Sequence, residues 1–245
     1  SFYHQPNEAA TIPVAPKVAL NSQASLYVAA YVKKNGPWLQ KIKDRSAHHF
    51  RIIEGVFQKH ELPLQLKYLA VVESKLKPSS ISHMGAKGPW QLMPQTAREL
   101  GLKVSGSTDE RTHYYKSTTA AAKYLKRLHG MFDDWLLVIA AYNGGPGTVF
   151  KAIRLSGSRN FWRLQQYLSA ETRAHVKHFI GVHYFFEDSG SETVLTKAEK
   201  EAFMKEWLAY EEALQQNKES GIVQASTRTL ITNTHLNTEP VSNKK

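Results

Sequence analysis

Glu73 is a carboxylate at a position where an amphipathic helix usually places a hydrocarbon side chain. Residues 61–78 are predicted to be helical, because Pro63 suits a first turn and Pro78 would end the helix. At helical spacing, Glu73 shares one face with four leucines, namely Leu62, Leu66, Leu69 and Leu76. Desolvation on such a face favours the protonated form of a carboxyl group, which can then act as a general acid near neutral pH. The alternative is an acid that reaches past the helix end into water.

Two further segments could complete a site around this acid. Residues 79–94 are predicted to form a loop, because their glycines permit turns that side chains would block. Residues 134–143 are almost all apolar, which predicts a central helix with Tyr142 and Asn143 at its end. The structural alternatives are a simple turn around a core tryptophan, Trp90, and an asparagine that only caps a helix before glycine.

These segments carry an ordered set of short motifs: Glu73-Ser74, Ser82, Gly88-Pro-Trp-Gln91 and Ala141-Tyr-Asn-Gly-Gly-Pro-Gly147. Together the motifs resemble the catalytic domain of the lytic transglycosylases, most narrowly the membrane-bound lytic transglycosylase D group of the lysozyme-like superfamily. The resemblance covers roughly residues 62–187, and an ordered set of motifs is more specific than any single one. It implies an all-α, lysozyme-like fold of the goose type.

The resemblance also implies roles for individual residues. In that family the glutamate of the Glu-Ser pair is the only catalytic acid and base, and this role falls on Glu73. The positions implied to flank the site or to bind substrate are Ser82, Gln91, Met93, Tyr142, Asn143, Glu171 and His175. The family usually has a tyrosine where this chain has His175, so this wall of the groove is expected to differ. The implied reaction cleaves the β-1,4 bond between N-acetylmuramic acid and N-acetylglucosamine, leaves a 1,6-anhydro end and needs no cofactor.

The number of carboxylates separates this reaction from hydrolysis. Lysozyme-type hydrolysis normally uses two carboxyl groups, and Asp109 and Glu110 are the candidates for the second one. A loop stabilised by an acid pair with Arg111 is the more ordinary interpretation of that stretch. One carboxyl suffices if the muramic C6 hydroxyl of the substrate is the nucleophile. A lysozyme-like or chitinase-like hydrolase and a noncatalytic peptidoglycan-binding scaffold are the alternatives.

Composition constrains the partners of the chain. With 32 basic and 21 acidic residues in 245, the net charge of +11 favours polyanions or anionic surfaces. No basic run interleaved with aromatics and no helix-turn-helix pattern favours nucleic acid, so the predicted partner is the peptidoglycan glycan strand. Glu171, His175 and His178 share a helix face that could bind zinc, but such spacing is a weak signal and we predict no metal. Cysteine is absent.

The predicted organisation has four parts: an N-terminal arm at 1–23, the helical domain at 24–190, a C-terminal amphipathic helix at 191–217 and a polar tail at 218–245. Gly36-Pro37 is predicted to separate the first two helices, and another helix is expected from Ser117 to Gly130. No convincing alternating strand is found.

The predicted location is the bacterial cell envelope. No stretch of about 18 consecutive apolar residues would span a bilayer. The chain does not open with a charged start and an apolar run, so we expect a mature or trimmed form of an exported protein. We expect a monomer, with other cell-wall proteins as further candidate partners.

Overall fold

The computed structural model describes residues 13–219 and is built almost entirely from helices. The ten α-helices of these residues are α1 (Ser22–Arg45), α2 (Ala47–Lys59), α3 (Tyr68–Ser74), α4 (Pro94–Glu99), α5 (Tyr114–Phe132), α6 (Trp135–Gly144), α7 (Pro146–Ser156), α8 (Phe161–Leu164), α9 (Ala170–Glu187) and α10 (Lys197–Glu219). One hairpin pairs β1 (Val104–Ser105) with β2 (Thr108–Asp109). The predicted all-α fold class is confirmed.

Helix α6 forms the centre of the core. Its residues 135–141 are all buried, and it packs against α5, α7 and α9. Asp134 caps its first turn by accepting two backbone hydrogen bonds through Oδ1, and its Oδ2 accepts one from the N–H of Lys197 at 2.7 Å. The predicted central helix is therefore present, and its far end carries Tyr142 and Asn143.

The helix that carries Glu73 is shorter than predicted. A 3₁₀ turn at Leu64–Lys67 leads into α3, and the left-handed backbone of Lys75 and Leu76, with φ of 55° and 63°, ends it. Left-handed residues cannot continue a right-handed helix, so the chain turns away before the proline predicted to stop it. The prediction of one helix over residues 61–78 is wrong at both ends.

Predicted limits of two other helices, α1 and α5, are also wrong. Helix α1 continues through Gly36 and Pro37, because its buried side chains Leu39 and Ile42 follow the proline and stabilise the helix that Pro37 weakens. The break comes later, at Ser46.

Helix α5 begins at Tyr114 instead of Ser117, since the His113 ring accepts a cap hydrogen bond there. It continues through Gly130 to a left-handed residue, Asp133. Helical glycine costs only about 1 kcal/mol, which packing of the buried face offsets.

The small hairpin was not predicted. Val104 pairs with Asp109 and Ser105 with Thr108. Strands of two residues are too short to show an alternating pattern, which explains why the sequence gives no signal for them.

The start of α10 has a capping box. The backbone N–H of Thr196 donates to Glu199 Oε2 at 2.8 Å, and the backbone N–H of Glu199 donates to Thr196 Oγ1 at 3.3 Å. Residues 17–200 form one compact unit. The described part of a second unit comprises residues 13–16, without regular secondary structure, and residues 201–219 of α10. Most of the predicted arm and polar tail lies outside the described residues.

His183 on α9 should make the domain sensitive to acid. The side chain is buried, and burial lowers its pKa to about 4. Because the unfolded chain takes up this proton at an ordinary pKa of about 6.5, stability is lost as the pH falls from about 6.5 towards 4. A difference of this size corresponds to about 3 kcal/mol. We expect His183→Gln to flatten the decline in melting temperature between pH 7 and pH 4.

The control for this prediction is His48→Gln, because His48 is exposed on α2. Burial also raises the pKa of Asp134 to about 6, so that group stabilises the fold as the pH falls through the same range. Since Asp134 makes this contribution in the parent and in both variants, the decline in melting temperature of each variant is compared with that of the parent protein. Equal acid sensitivity of His183→Gln and the parent would contradict the role of His183.

Candidate active site

Glu73 lies at the end of α3 on the face that the sequence predicted. All four leucines of the predicted stripe are buried. The Glu73 side chain is 12% exposed, so the carboxylate is neither fully buried nor free in solvent. It is therefore accessible to a ligand while apolar side chains surround the turn that carries it.

His175 faces Glu73 from α9. Its Nε2 lies 3.2 Å from Glu73 Oε1, although the approach is not aligned as a hydrogen bond. Both side chains are largely buried, with exposed fractions of 9% and 12%. The His175 ring therefore points at the acid. The His175 ring can thus orient the carboxylate and change its charge environment.

The three residues considered for zinc do not converge. His178 packs against Tyr31, with ring centroids 5.1 Å apart, and Glu171 is exposed in the first turn of α9. Within residues 13–219 no group of three or more histidine, aspartate or glutamate side chains is arranged to hold a metal ion.

The loop of residues 79–93 is fixed to α3 beside the acid. Ser74, which follows Glu73, donates a hydrogen bond from Oγ to the Pro89 carbonyl at 2.9 Å. Ser82 Oγ accepts one from the N–H of Ala86 at 3.0 Å. The first bond holds the loop against the helix end, and the second lies within the loop, so Ser82 helps to shape the loop.

Gln91 also supports the loop with its side chain. Its Nε2 donates to the carbonyl oxygens of Ser80 and Gly88, at 3.1 and 2.9 Å. A Cβ at Gly88 would lie 1.9 Å from the carbonyl oxygen of Arg111, so only glycine fits there. Met93 was predicted to bind substrate. It is the last residue of this loop, directly before α4, and its exposed fraction is 41%.

Tyr142 connects the end of α6 to this loop. Its hydroxyl donates to the Trp90 carbonyl oxygen at 2.7 Å, while the Trp90 indole N–H donates to Thr118. Burial raises the pKa of Tyr142 well above its ordinary value, and the nearby Glu73 carboxylate raises it further. Tyr142 is thus a neutral group close to Glu73 that positions the loop and can still accept a hydrogen bond.

Asn143 is oriented from α9 by a chain of hydrogen bonds. Thr172 Oγ1 donates to Asn143 Oδ1 at 2.8 Å, and Ser169 Oγ donates to Thr172 Oγ1 at 3.0 Å. Gly144 permits this approach, since a Cβ there would lie 2.8 Å from Thr172 Oγ1. Within the described part of the chain, the side-chain N–H donors of Asn143 have no protein partner. The helix cap is Gly145, so the interpretation of Asn143 as only a cap is wrong.

The two candidates for a second carboxylate are bound elsewhere. Asp109 accepts from Arg111 through both oxygens, at 2.9 and 2.8 Å, and lies 3.1 Å from Lys87. The hydrogen bond from Arg111 is the main reason that the pKa of Asp109 is lowered to about 2. Glu110 accepts from the N–H of Lys103 and pairs with Lys116. Both acids stabilise the hairpin, as the more ordinary interpretation predicted.

Sequence reasoning missed Thr172, and it gave Arg111 only a pair with a neighbouring acid. The Arg111 side chain is 7% exposed and also donates to the carbonyl oxygens of Gly85 and Leu92, at 2.7 and 2.9 Å. Arg111 therefore stabilises the loop of residues 79–93, which contains Ser82. Thr172 follows Glu171, which the resemblance implied as a site residue, and this position could have drawn attention to it.

Part of the chain is similar in sequence to a known protein family. Residues 52–165 match the family model of the transglycosylase SLT domain. The chain is 37% identical over 161 residues to membrane-bound lytic murein transglycosylase D of Escherichia coli K12, and the match covers 64% of this chain and 35% of that protein.

Two solved structures share the fold. The 70-kDa soluble lytic transglycosylase of Escherichia coli is 20% identical with a TM-score of 0.53, over 70% of this chain and 32% of that one. The Pseudomonas aeruginosa lytic transglycosylase Slt, solved as an inactive Glu-to-Gln mutant, is 22% identical with a TM-score of 0.52, over 68% of this chain and 29% of that one. The chain spans about a third of the length of these relatives. Residues 52–165 are therefore similar in sequence to the transglycosylase SLT domain, and the chain shares the fold of the solved lytic transglycosylases.

Proposed function

We propose that the chain is a peptidoglycan lytic transglycosylase with Glu73 as its single acid and base. The observation that carries the proposal is the position of Glu73 beside His175 and near Tyr142, while both candidates for a second carboxylate are bound at the hairpin. Similarity to the SLT domain family and the description of the Escherichia coli relative as a murein transglycosylase support it.

The reaction proceeds in two proton transfers through one carboxyl group. Protonated Glu73 donates its proton to the oxygen between N-acetylmuramic acid and N-acetylglucosamine, and the bond from the muramic anomeric carbon to this oxygen breaks. The muramic C6 hydroxyl then attacks that carbon and gives its proton to the Glu73 carboxylate. A 1,6-anhydro end forms, no water is consumed and the acid is regenerated. The intramolecular nucleophile makes a second protein carboxylate unnecessary.

The surrounding residues would bind and orient the sugars. Asn143 offers its N–H donors, because Thr172 already occupies its oxygen. Tyr142 holds the loop and offers a hydrogen-bond acceptor near the acid. The predicted substrate-binding residues Ser82, Gln91, Met93 and Glu171 would line the groove at greater distance. His175 would keep the Glu73 carboxylate in place during both transfers.

The proposed location is the cell envelope, in the periplasm where peptidoglycan lies. The Escherichia coli relative is described as membrane-bound. Among residues 13–219, no helix combines the length and the apolar character that crossing a bilayer demands. We propose that the domain acts as a monomer on glycan strands.

Mass analysis of the fragments released from purified peptidoglycan tests the function. Anhydro ends, one water lighter than reducing ends, are the expected product. Reducing ends would instead indicate a lysozyme-like hydrolase, and absence of any release would indicate a noncatalytic peptidoglycan-binding protein.

Replacement of Asn143 should separate sugar positioning from stability. We expect Asn143→Ala to lower turnover about 10-fold or more, the scale of a lost positioning contact. Thr172→Val should have a smaller effect, because it removes the bond that orients the amide but keeps the amide itself. Turnover and urea unfolding are measured on the same preparations. Normal turnover of folded Asn143→Ala would contradict the assignment.

A further inference from the structure

A second concave site lies between α1, α3 and α9. Its volume is about 500 Å³. The side chains that matter for ligand chemistry are Tyr27, Tyr31, Lys34, Trp38, Lys75 and His178. Most of the residues that line this cavity belong to α1, which precedes residues 52–165 of the family match. The site is thus largely an addition to the SLT domain.

The aromatic rings form a partly exposed, ordered platform. Tyr27 and Tyr31 stack with centroids 5.8 Å apart and planes 20° apart, and Tyr31 also contacts His178. The Trp38 indole N–H donates to Asn35 Oδ1 at 2.8 Å, which fixes the orientation of its ring. Rigid aromatic surfaces of this kind bury the apolar parts of a ligand with little loss of side-chain entropy.

The charge of the cavity is positive. Lys34 and Lys75 are exposed at its edge, and Lys75 Nζ lies 4.8 Å from the centre of the Trp38 ring. Neither lysine has a carboxylate partner among residues 13–219, and no acidic residue lines the cavity. Burial lowers the pKa of His178, and the nearby His175 lowers it further, which favours the neutral form of this ring. Two unpaired ammonium groups beside aromatic rings suit a ligand that combines carboxylates with apolar groups.

The cavity is close to the proposed active site. Val72 and Lys75, which contribute to its lining, flank Glu73 in the chain, and His178 lies one turn after His175 on α9. One helical turn is about 5 Å, whereas an extended peptide of five residues reaches about 17 Å. A peptide attached to a sugar in the groove can therefore reach the cavity.

We propose that this cavity binds the acidic peptide carried by the muramic sugar of the substrate strand. The inference rests on the proposed function, since that function places a muramic sugar at Glu73. The peptide carboxylates would pair with Lys34 and Lys75, and its methyl and methylene groups would pack on Tyr27, Tyr31 and Trp38. The site would make the enzyme prefer glycan strands that still carry their peptides.

A binding experiment tests the site without cleavage. The probe is N-acetylmuramic acid that carries the tripeptide L-alanyl-γ-D-glutamyl-meso-diaminopimelate, which lacks the bond that the enzyme would break. In calorimetric titrations of the full chain, this probe should bind more tightly than N-acetylmuramic acid alone. Lys34→Glu should weaken its binding about 10-fold, because a like charge now faces the peptide carboxylates. Lys41→Glu is the matched control on α1, since Lys41 is exposed and lies outside the cavity.

Equal binding of the sugar with and without peptide would overturn the inference, and so would unchanged binding to Lys34→Glu. Lys34→Gln provides a second variant that removes the charge without reversing it. Its binding should lie between those of the parent and Lys34→Glu. Melting temperatures of all variants show whether the fold is retained.

A turnover experiment separates this inference from the proposed function. The ratio of kcat/KM for peptide-bearing strands to that for strands stripped by an amidase should fall about 10-fold in Lys34→Glu and stay constant in Lys41→Glu. Cleavage of neither strand by the parent protein would contradict the proposed function alone, because the binding titration still tests the cavity. Cleavage of both strands with the same ratio in the parent and Lys34→Glu would overturn the inference alone.

Discussion

Glu73→Gln should retain the fold and lose glycan cleavage by at least about 100-fold, the smallest contribution typical of a positioned acid and base. The amide has nearly the shape of the carboxyl group, so the contact with His175 and the buried leucines around α3 remain. It can neither donate a proton to the glycosidic oxygen nor recover one from the C6 hydroxyl. Release of soluble fragments from peptidoglycan, with the melting temperature measured in parallel, checks the prediction.

The matched control is Glu110→Gln, which replaces the other candidate acid in the same way. Glu110 accepts from the Lys103 N–H and pairs with Lys116 on the surface of the hairpin, so its replacement should leave turnover close to that of the parent. Loss of turnover in Glu110→Gln would indicate a two-carboxylate hydrolase. Parent-like turnover of folded Glu73→Gln would remove Glu73 from the mechanism.

The sequence predicted the fold class because its signals were strong over long segments. The apolar run of residues 134–143 could only be a central helix, and the stripe of leucines around Glu73 is buried as its spacing indicated. Helix limits were less predictable. Proline at position 37 is compatible with a helix that tertiary packing stabilises. The left-handed backbone of Lys75 and Leu76 could not be predicted, because neither position is a glycine or an asparagine.

Several residues of the site serve roles that spacing along the chain cannot reveal. Tyr142 and Gln91 were both predicted to bind substrate. In the structure, the Tyr142 hydroxyl donates to the Trp90 carbonyl, and the Gln91 amide donates to two other carbonyl groups of the loop. Thr172 reaches Asn143 from a helix that lies 29 positions further along the chain. Such contacts depend on how α6 and α9 pack and on the path of the loop, which no local pattern encodes.

The loop beside the acid should depend strongly on Arg111. Its guanidinium group makes two bonds to Asp109 and one each to the carbonyl oxygens of Gly85 and Leu92, in a position that is 7% exposed. Arg111→Ala would remove the guanidinium donors of the Asp109 carboxylate and of the Gly85 and Leu92 carbonyl groups, and Lys87 would remain as the cation beside Asp109. We expect it to lower the free energy of unfolding by about 3 kcal/mol, as is typical when one partner of a buried ion pair is removed.

The same replacement should lower turnover of the protein that remains folded. The loop held by Arg111 contains Ser82 and is bonded to the helix of Glu73 through Ser74, so its displacement would change the groove. A shift of about 1 Å in such elements can lower the rate about 100-fold. Urea unfolding and turnover at a pH where the variant is folded measure the two effects separately.

The control for Arg111 is Lys116→Ala, which breaks a neighbouring ion pair whose lysine is 50% exposed. An exposed pair contributes about 1 kcal/mol or less, so this variant should change neither stability nor turnover appreciably. Arg111→Lys adds a further comparison, because it keeps the positive charge but cannot form the two parallel bonds to Asp109. If Arg111→Lys had the stability and turnover of the parent, charge alone would explain the role of Arg111. If Arg111→Ala resembled Lys116→Ala, the loop would be held by Ser74, Gln91 and Tyr142 without it.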